Sequence, residues 1–326
     1  MGFADSRGLE TPVPPPIPAR EPTAPAQRPE LETEAPVPPP GSPLIPALAR
    51  QAPPRPWRPT PLLTASAALH LAAAGTLAAA PQQWRLAAAA LVGDHAVLAG
   101  AGLWPSSRWL GPNLCRLPAG AVRRGEVALT FDDGPDPRVT PAVIERLERA
   151  ACRASFFCIG RRAEAHPELV AELVRRGHQV ENHSYSHPHA FAFYPPRALR
   201  REIHRAQQLL TRLAGDRPRF FRAPAGFRSL LLERELAAAG LHLASWTRRG
   251  FDTMSREPRQ VVRRLTRRLA AGDVLLLHDG SAAQDRMGVP VVLEALPRLL
   301  DELAARGLRG VPLRPAADAD GAGEIS

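Results

Sequence analysis

The chain contains no lysine; all 42 of its basic side chains are arginine. Aromatic residues make up 5%, with two tyrosines. With so few aromatics the sequence shows no aromatic-basic pattern of the kind a stacking platform for single-stranded nucleic acid would have, and no nucleic-acid partner is expected. Cysteine is equally scarce: Cys115, Cys152 and Cys158. The last two fall in one predicted strand, where a rise of about 3.3 Å per residue separates their Cα atoms by roughly 20 Å, outside disulfide reach. A disulfide framework is therefore not expected, which is compatible with a reducing compartment. Acidic residues number 32, leaving a net charge of +10. An Arg-, Ala- and Pro-rich chain without lysine is what a biased genomic base composition produces. The functional alternative is attraction to an anionic surface, a membrane or an acidic polymer.

Proline is abundant, and about half of the 37 prolines lie in residues 1–60, with Pro-Pro-Pro runs at 14–16 and 38–40. That segment has too little apolar surface to offset its ordering entropy and reads as a disordered, partly extended tail. Residues 61–104 differ sharply. Pro61 to Ala80 has no charged side chain, Pro81-Gln82-Gln83-Trp84-Arg85 is a polar break, and Leu86 to Trp104 is again apolar apart from Asp94 and His95. Each run approaches the ~20 residues needed to span a bilayer. Together they predict a transmembrane helical hairpin; the competing reading is an Ala-rich soluble helical pair. Arg50, Arg55 and Arg58 precede the first run, Arg108, Arg116, Arg123 and Arg124 follow the second, and the turn carries Arg85. By the positive-inside rule both ends face the cytoplasm of a bacterial inner membrane, at odds with a role in the cell wall.

After a linker at 105–124 the pattern alternates. Strand-like runs fall at 126–131, 153–159, 178–182, 219–222, 241–246, 273–278 and 308–313, with helix-like runs near 140–150, 163–176, 196–213, 229–239, 257–271 and 290–306. Gly177, Gly240, Gly272 and Gly307 stand where helices should stop. Seven strands alternating with six helices predict an α/β fold whose largely parallel sheet is closed or nearly closed. Function in such folds collects at the C-terminal ends of strands. Asp132 and Asp133, His183, Arg222, Trp246 and His278 all fall there. An Asp-Asp pair closing a strand, followed by His183-Ser184-Tyr185-Ser186-His187, supplies one carboxylate and two imidazoles for a divalent ion and a second carboxylate free to act as a base. Each piece alone has a plainer reading: a capped turn for Asp133, surface histidines, a satisfied core histidine for His278.

Five segments in order, Thr130-Phe131-Asp132-Asp133-Gly134, His183-Ser184-Tyr185-Ser186-His187, Arg222-Ala223-Pro224-Ala225-Gly226, Trp246 with Asp252, and Leu276-Leu277-His278-Asp279, resemble the NodB-homology polysaccharide deacetylases, carbohydrate esterase family four. The resemblance covers about residues 125–313, leaving 314–326 as a flexible tail. It implies a distorted (β/α) barrel and a metal-dependent hydrolase that removes N-acyl groups, acetyl by default, from an amino-sugar glycan. It also implies roles. Asp133, His183 and His187 match the metal ligands, with His189 nearby but at the wrong spacing. Asp132 matches the catalytic base, Arg222 the arginine that orients it, and His278 the general acid, with Asp252 orienting that histidine. Ala225, where many relatives have an aromatic residue, matches the main-chain oxyanion donor. Trp246 and Leu276 match the walls of the acyl pocket. Arg249 stands where many relatives carry a further acidic residue. Zinc is the default ion from the ligand types, with cobalt, nickel and manganese as alternatives. Two rival readings are a deformylase or deacetylase of a lipid-linked amino sugar at the inner membrane and a membrane-anchored glycan-binding protein with a dead site. No pattern specifies an oligomeric state.

Overall fold

A computed structural model of the protein describes residues 54–314. Most of the expected N-terminal tail, residues 1–53, and the expected C-terminal tail from residue 315 lie outside the described residues. Residues 54–60 are tied to the rest of the chain: the Arg55 N–H donates to the Ala237 carbonyl (2.9 Å), and its guanidinium to Glu233 (3.1 Å).

Two helices follow, α1 (Pro61–Ala79) and α2 (Trp84–Leu103). Thr60 caps α1 by accepting the Leu63 N–H, and Pro61 occupies the first turn, where its missing donor costs nothing. Both helices are long and apolar enough to cross a membrane by length and composition. Asp94, the one acid within the hairpin, is not stranded, because Ser66 on α1 donates to its carboxylate (2.7 Å). A short helix, α3 (Ala119–Arg123), occupies the segment expected to be linker.

The chain then runs β1 (Glu126–Asp132), α4 (Thr140–Arg149), β2 (Ser155–Cys158), α5 (Gly160–Ala165), α6 (Pro167–Arg175), β3 (Gln179–Asn182), α7 (Pro196–Ala214), β4 (Phe220–Phe221), α8 (Leu232–Ala238), β5 (His242–Leu243), β6 (Arg248–Arg249), α9 (Pro258–Thr266), β7 (Val274–His278), α10 (Val291–Ala305) and β8 (Arg309–Val311). The strands lie in the order β5-β4-β3-β2-β1-β7-β6, with β8 against the start of β1, and every pairing is parallel. The seven-strand path curls into a half-barrel, which is the distorted barrel the sequence implies.

Period-two alternation divides each central strand between two environments. On β1, Val127, Leu129 and Phe131 pack with Leu275 and Leu277 of β7 and with apolar residues of α4, α9 and α10. Ala128 of β1, Phe157 of β2, and Val274 and Leu276 of β7 form the opposite, interior layer with Trp246 and Val311. Thr130, Asp132 and His278 share that interior parity, so a run read as apolar carries its polar chemistry inward.

Several boundaries differ from the expectation. The helix foreseen at 163–176 is two helices, because Pro167 opens α6 and cannot continue α5. The strand foreseen at 241–246 stops at Leu243, and a separate two-residue strand, β6, follows Trp246. Cys152 precedes β2 and so does not share a strand with Cys158; all three cysteines are free thiols and buried.

Candidate active site

β1 ends on Asp132, and Asp133 leaves the strand in a left-handed conformation (φ 72°). Aspartate tolerates that region because its short side chain bonds locally. Asp132 pairs laterally with Phe157 of β2 and His278 of β7, so the strand register alone sets the two motifs side by side.

His183 follows β3 directly, and a tight turn returns His187 to it. Ser184 and His187 are both left-handed (φ 63° and 53°). The turn is fastened at several points. Asn182 Oδ1 accepts the Ser184 N–H (2.9 Å), Ser184 Oγ accepts the His187 N–H (3.1 Å), and Glu202 on α7 accepts the N–H groups of Tyr185 (3.1 Å) and Ser186 (2.8 Å). The resulting cluster is close. Asp133 Oδ1 lies 3.3 Å from His183 Nε2 and 3.2 Å from His187 Nε2. One ligand atom from each of the three residues lies within 4.8 Å of the others. His189, two residues on, is exposed and outside this group.

These residues fit a divalent cation on three counts. The donor set is two imidazoles and a carboxylate, as zinc sites use. Asp133 Oδ1 is buried and has no hydrogen-bond partner, an arrangement that costs free energy unless something positive fills it. The Nδ1–H of His183 donates to the Arg222 carbonyl (2.8 Å), which orients the ring with Nε2 toward Asp133. The electrostatics agree. Burial works against the Asp133 charge, yet His183, His278 and His187 hold its carboxyl well below the usual range. Burial, with His183 beside it, pushes His187 down to about 4, so that this imidazole is neutral at physiological pH. Burial opposes the His183 cation too, but Asp132 and Asp133 outweigh it and raise its pKa.

Arg222, just past β4, is 1% exposed. Its Nη1 donates to Asp132 Oδ1 (2.6 Å) and Thr130 Oγ1 (2.9 Å), and its other nitrogens to the Ala244 and Ser245 carbonyls (both 3.2 Å). Its guanidinium lies 4.0 Å over the Phe157 ring. A charge so buried stays only because every face is answered. It engages one oxygen of Asp132 and leaves Oδ2 toward His183, at 3.9 Å.

On the opposite side of Asp132, His278 Nδ1 lies 2.9 Å from Asp252 Oδ1, and Asp252 Oδ2 accepts the His278 backbone N–H (2.7 Å). Asp252 is fully buried. Burial alone would discharge His278, but the Asp252 carboxylate bonded to it prevails and its pKa is raised. Ala225 sits in a short 3-10 turn, Pro224–Gly226, and is itself left-handed (φ 55°). A Cβ at Gly226 would lie 2.5 Å from the Trp246 ring, so the turn can close on that indole only with glycine there. Trp246 and Leu276 are both buried in the interior layer, Trp246 at its upper edge against this turn. Arg249 lays its guanidinium against Trp246 and Phe251, 5.6 and 4.9 Å from the ring centres.

The structure thus brings together Asp132, Asp133, His183, His187, Arg222, His278 and Asp252, and places Ala225 on the adjoining turn with Trp246 packed against it. Ser281 and Arg162 carried no readable signal, and Asp279, quoted within the last motif, was assigned no role. Ser281 donates to Asp133 Oδ2, Arg162 donates to the Asp133 and Gly280 carbonyls (2.8 and 2.7 Å), and Asp279 accepts from Thr140 (2.6 Å). Burial raises Asp279 to about 7.

Comparison with known proteins agrees with this geometry. A sequence model of the polysaccharide deacetylase family matches residues 119–244. A peptidoglycan-N-acetylglucosamine deacetylase of Bacillus cereus is 31% identical over 198 residues, 60% of this chain and 69% of that protein. A chitooligosaccharide deacetylase of Azorhizobium caulinodans is 32% identical over 197 residues, 58% of this chain and 93% of that one. Among solved structures, a family 4 carbohydrate esterase from Streptomyces lividans in complex with acetate superposes with a TM-score of 0.52 at 34% identity, covering 57% of this chain and 91% of its own. A half-barrel with this strand order and these motifs defines the NodB-like class of carbohydrate esterases. The chain belongs to the polysaccharide deacetylase family.

Proposed function

We propose that the protein is a metal-dependent amide hydrolase that removes the N-acyl group, acetyl by default, from an amino-sugar glycan. The observation that carries this reading is the convergence of Asp133, His183 and His187 around an orphaned carboxylate oxygen, flanked by Asp132–Arg222 on one side and His278–Asp252 on the other. The names of the relatives, which act on peptidoglycan and chitooligosaccharides, support the substrate class.

Asp133, His183 and His187 would hold the ion, zinc by default with cobalt, nickel or manganese as alternatives. When bound, it supplies Lewis-acid polarisation of the amide carbonyl and acidifies water. Arg222 fixes the orientation of Asp132 through the bond to Oδ1, so that Asp132 accepts the proton of the attacking water. The Ala225 N–H faces the developing oxyanion; a main-chain donor survives the loss of the aromatic side chain that many relatives have there. His278, anchored through Nδ1 to Asp252, presents Nε2–H to the departing nitrogen. The C–N bond breaks, the hydroxyl of water stays on the acyl carbon, and the proton passes to the amine, giving carboxylate and free amino sugar.

The test is acetate and formate release by the full chain from N-acetylglucosamine oligomers, peptidoglycan fragments and a formamido sugar, with added metal and with chelator. Chelator-sensitive release that disappears in Asp132→Asn, while metal content is retained, is the expected result. Near-normal turnover by Asp132→Asn would remove the base assignment.

A further inference from the structure

Four of the five tryptophans are absent from the half-barrel: Trp57, Trp104 and Trp109 stand at one end of the helical hairpin and Trp84 at the other. From Trp84 to Trp104, α2 spans about 30 Å at 1.5 Å per residue, the thickness of a bilayer's hydrocarbon. Indoles at both ends of such a helix mark the two interfaces. Leu71, Leu86 and Val92, between those ends, are 75%, 66% and 70% exposed. Apolar side chains left bare along a whole helix pair are suited to lipid rather than water.

The end that carries three tryptophans is joined to the turn beside the active site. The Gly102 carbonyl, in the last turn of α2, accepts the Arg228 N–H (3.1 Å), and the Arg228 guanidinium donates to the Ser107 carbonyl (2.8 Å). The approach is so close that a Cβ on Gly102 would lie 2.8 Å from the Arg228 carbonyl oxygen. Arg228 is three residues from Ala225, at most about 11 Å along the chain. Ala225 therefore lies within roughly 15 Å of a helix end at the hydrocarbon boundary, and the headgroup layer fills some 5–7 Å of that. Phe227 and Leu230, on the same loop, are 41% and 38% exposed.

We propose that the loop Pro224–Leu231 rides on the bilayer surface, with Phe227 and Leu230 entering the headgroup layer, and that the adjoining Asp132–Asp133–His183–His187 site takes N-acyl amino sugars borne on a lipid in the same membrane. The substrate half of this inference rests on the hydrolase reading above; the placement of the loop does not. A sugar one or two units from a membrane anchor reaches that site without leaving the surface. Arg58 and Arg108, exposed at the same end, match the anionic headgroups that surround it.

The full chain is reconstituted in phosphatidylcholine–phosphatidylglycerol vesicles with single cysteines, Phe227→Cys, Leu230→Cys or Glu145→Cys, labelled with bimane. The native cysteines are buried, and Glu145 is an exposed position on α4, which packs on α6 and α10. Headgroup spin-labelled lipid should quench positions 227 and 230 at least threefold more strongly than 145. Adding Arg228→Ala should cut the quenching at 227. Equal quenching at all three sites overturns the placement. In parallel, the cysteine-unsubstituted enzyme is given an octadecyl glycoside of N-acetylglucosamine in the vesicles and the methyl glycoside in solution. A kcat/KM at least tenfold higher for the octadecyl form supports the lipid-borne substrate, and equal values overturn it. Hydrolysis of neither glycoside removes the hydrolase reading and the substrate half with it, while the quenching still decides the placement.

Discussion

Arg222→Met tests whether the interior arginine exists to hold Asp132 or to fill space. Methionine keeps the aliphatic stem as far as the position of Nε, but removes the guanidinium over Phe157, the bond to Asp132 Oδ1 (2.6 Å) and those to Thr130, Ala244 and Ser245. Asp132 is 4% exposed, and stripping one partner from a buried ion pair costs about 3–5 kcal/mol. The two carbonyls left without a donor add roughly 1 kcal/mol each at the low end. A loss of about 5 kcal/mol at a urea slope near 2 kcal/mol per M lowers the unfolding midpoint by roughly 2.5 M. The double variant Arg222→Met/Asp132→Asn is the diagnostic. With no charge left unpaired, it should be more stable than the sum of the single changes by about 2–4 kcal/mol, read from a urea double-mutant cycle. Additivity within about 0.5 kcal/mol would refute the reasoning and reduce Arg222 to a packing residue. Acetate release should fall at least 100-fold in Arg222→Met, since an unheld base forfeits most of its general-base contribution.

Other consequences follow from the same geometry. Asp252→Asn removes the charge that raises His278; the acid form then disappears at lower pH, and the alkaline limb of the activity profile should move toward acid, whereas an unmoved limb would exclude His278 as the titrating acid. Ser281→Ala frees Asp133 Oδ2 and should weaken zinc affinity about 10–100-fold in a chelator competition, as loss of an orienting partner does. Glu181, buried on β3 and accepting the Arg219 and Phe220 N–H groups (2.8 and 2.7 Å), is raised by burial to about 8. Because its folded pKa exceeds the ordinary 4.5, its contribution is full below about pH 4.5 and is lost as pH climbs toward 8. The thermal midpoint of the wild type should therefore fall more between pH 5 and pH 9 than that of Glu181→Gln, and parallel curves would contradict a neutral buried acid.

Much of this arrangement was legible because it is written in local pattern. The alternation of Val127-Ala128-Leu129-Thr130-Phe131 and the apolar run before His278 mark central strands, and central parallel strands deliver their C-terminal residues to one rim. What was not legible acts at a distance. Ser281 reaches Asp133 across 148 positions of chain, and Glu202 clamps the histidine turn from the middle of an ordinary amphipathic helix. Neither differs in local context from a surface serine or glutamate. β6 escaped notice because Arg248-Arg249 has no apolar period; it is a strand by virtue of its pairing with Leu275 and Leu276.

The lateral pairing of Asp132 with His278 has an evolutionary side. Neighbouring parallel strands are about 4.8 Å apart wherever they occur, so the spacing of these two residues is a property of the backbone ladder rather than of any loop. Loops at the rim can lengthen, shorten or be exchanged without retuning it. A one-residue deletion within Val274–His278, in contrast, would turn the histidine to the outer face and silence the centre while leaving the sheet paired. Diversification in a protein built this way is confined to the rim, and the ladder is where it cannot afford to drift.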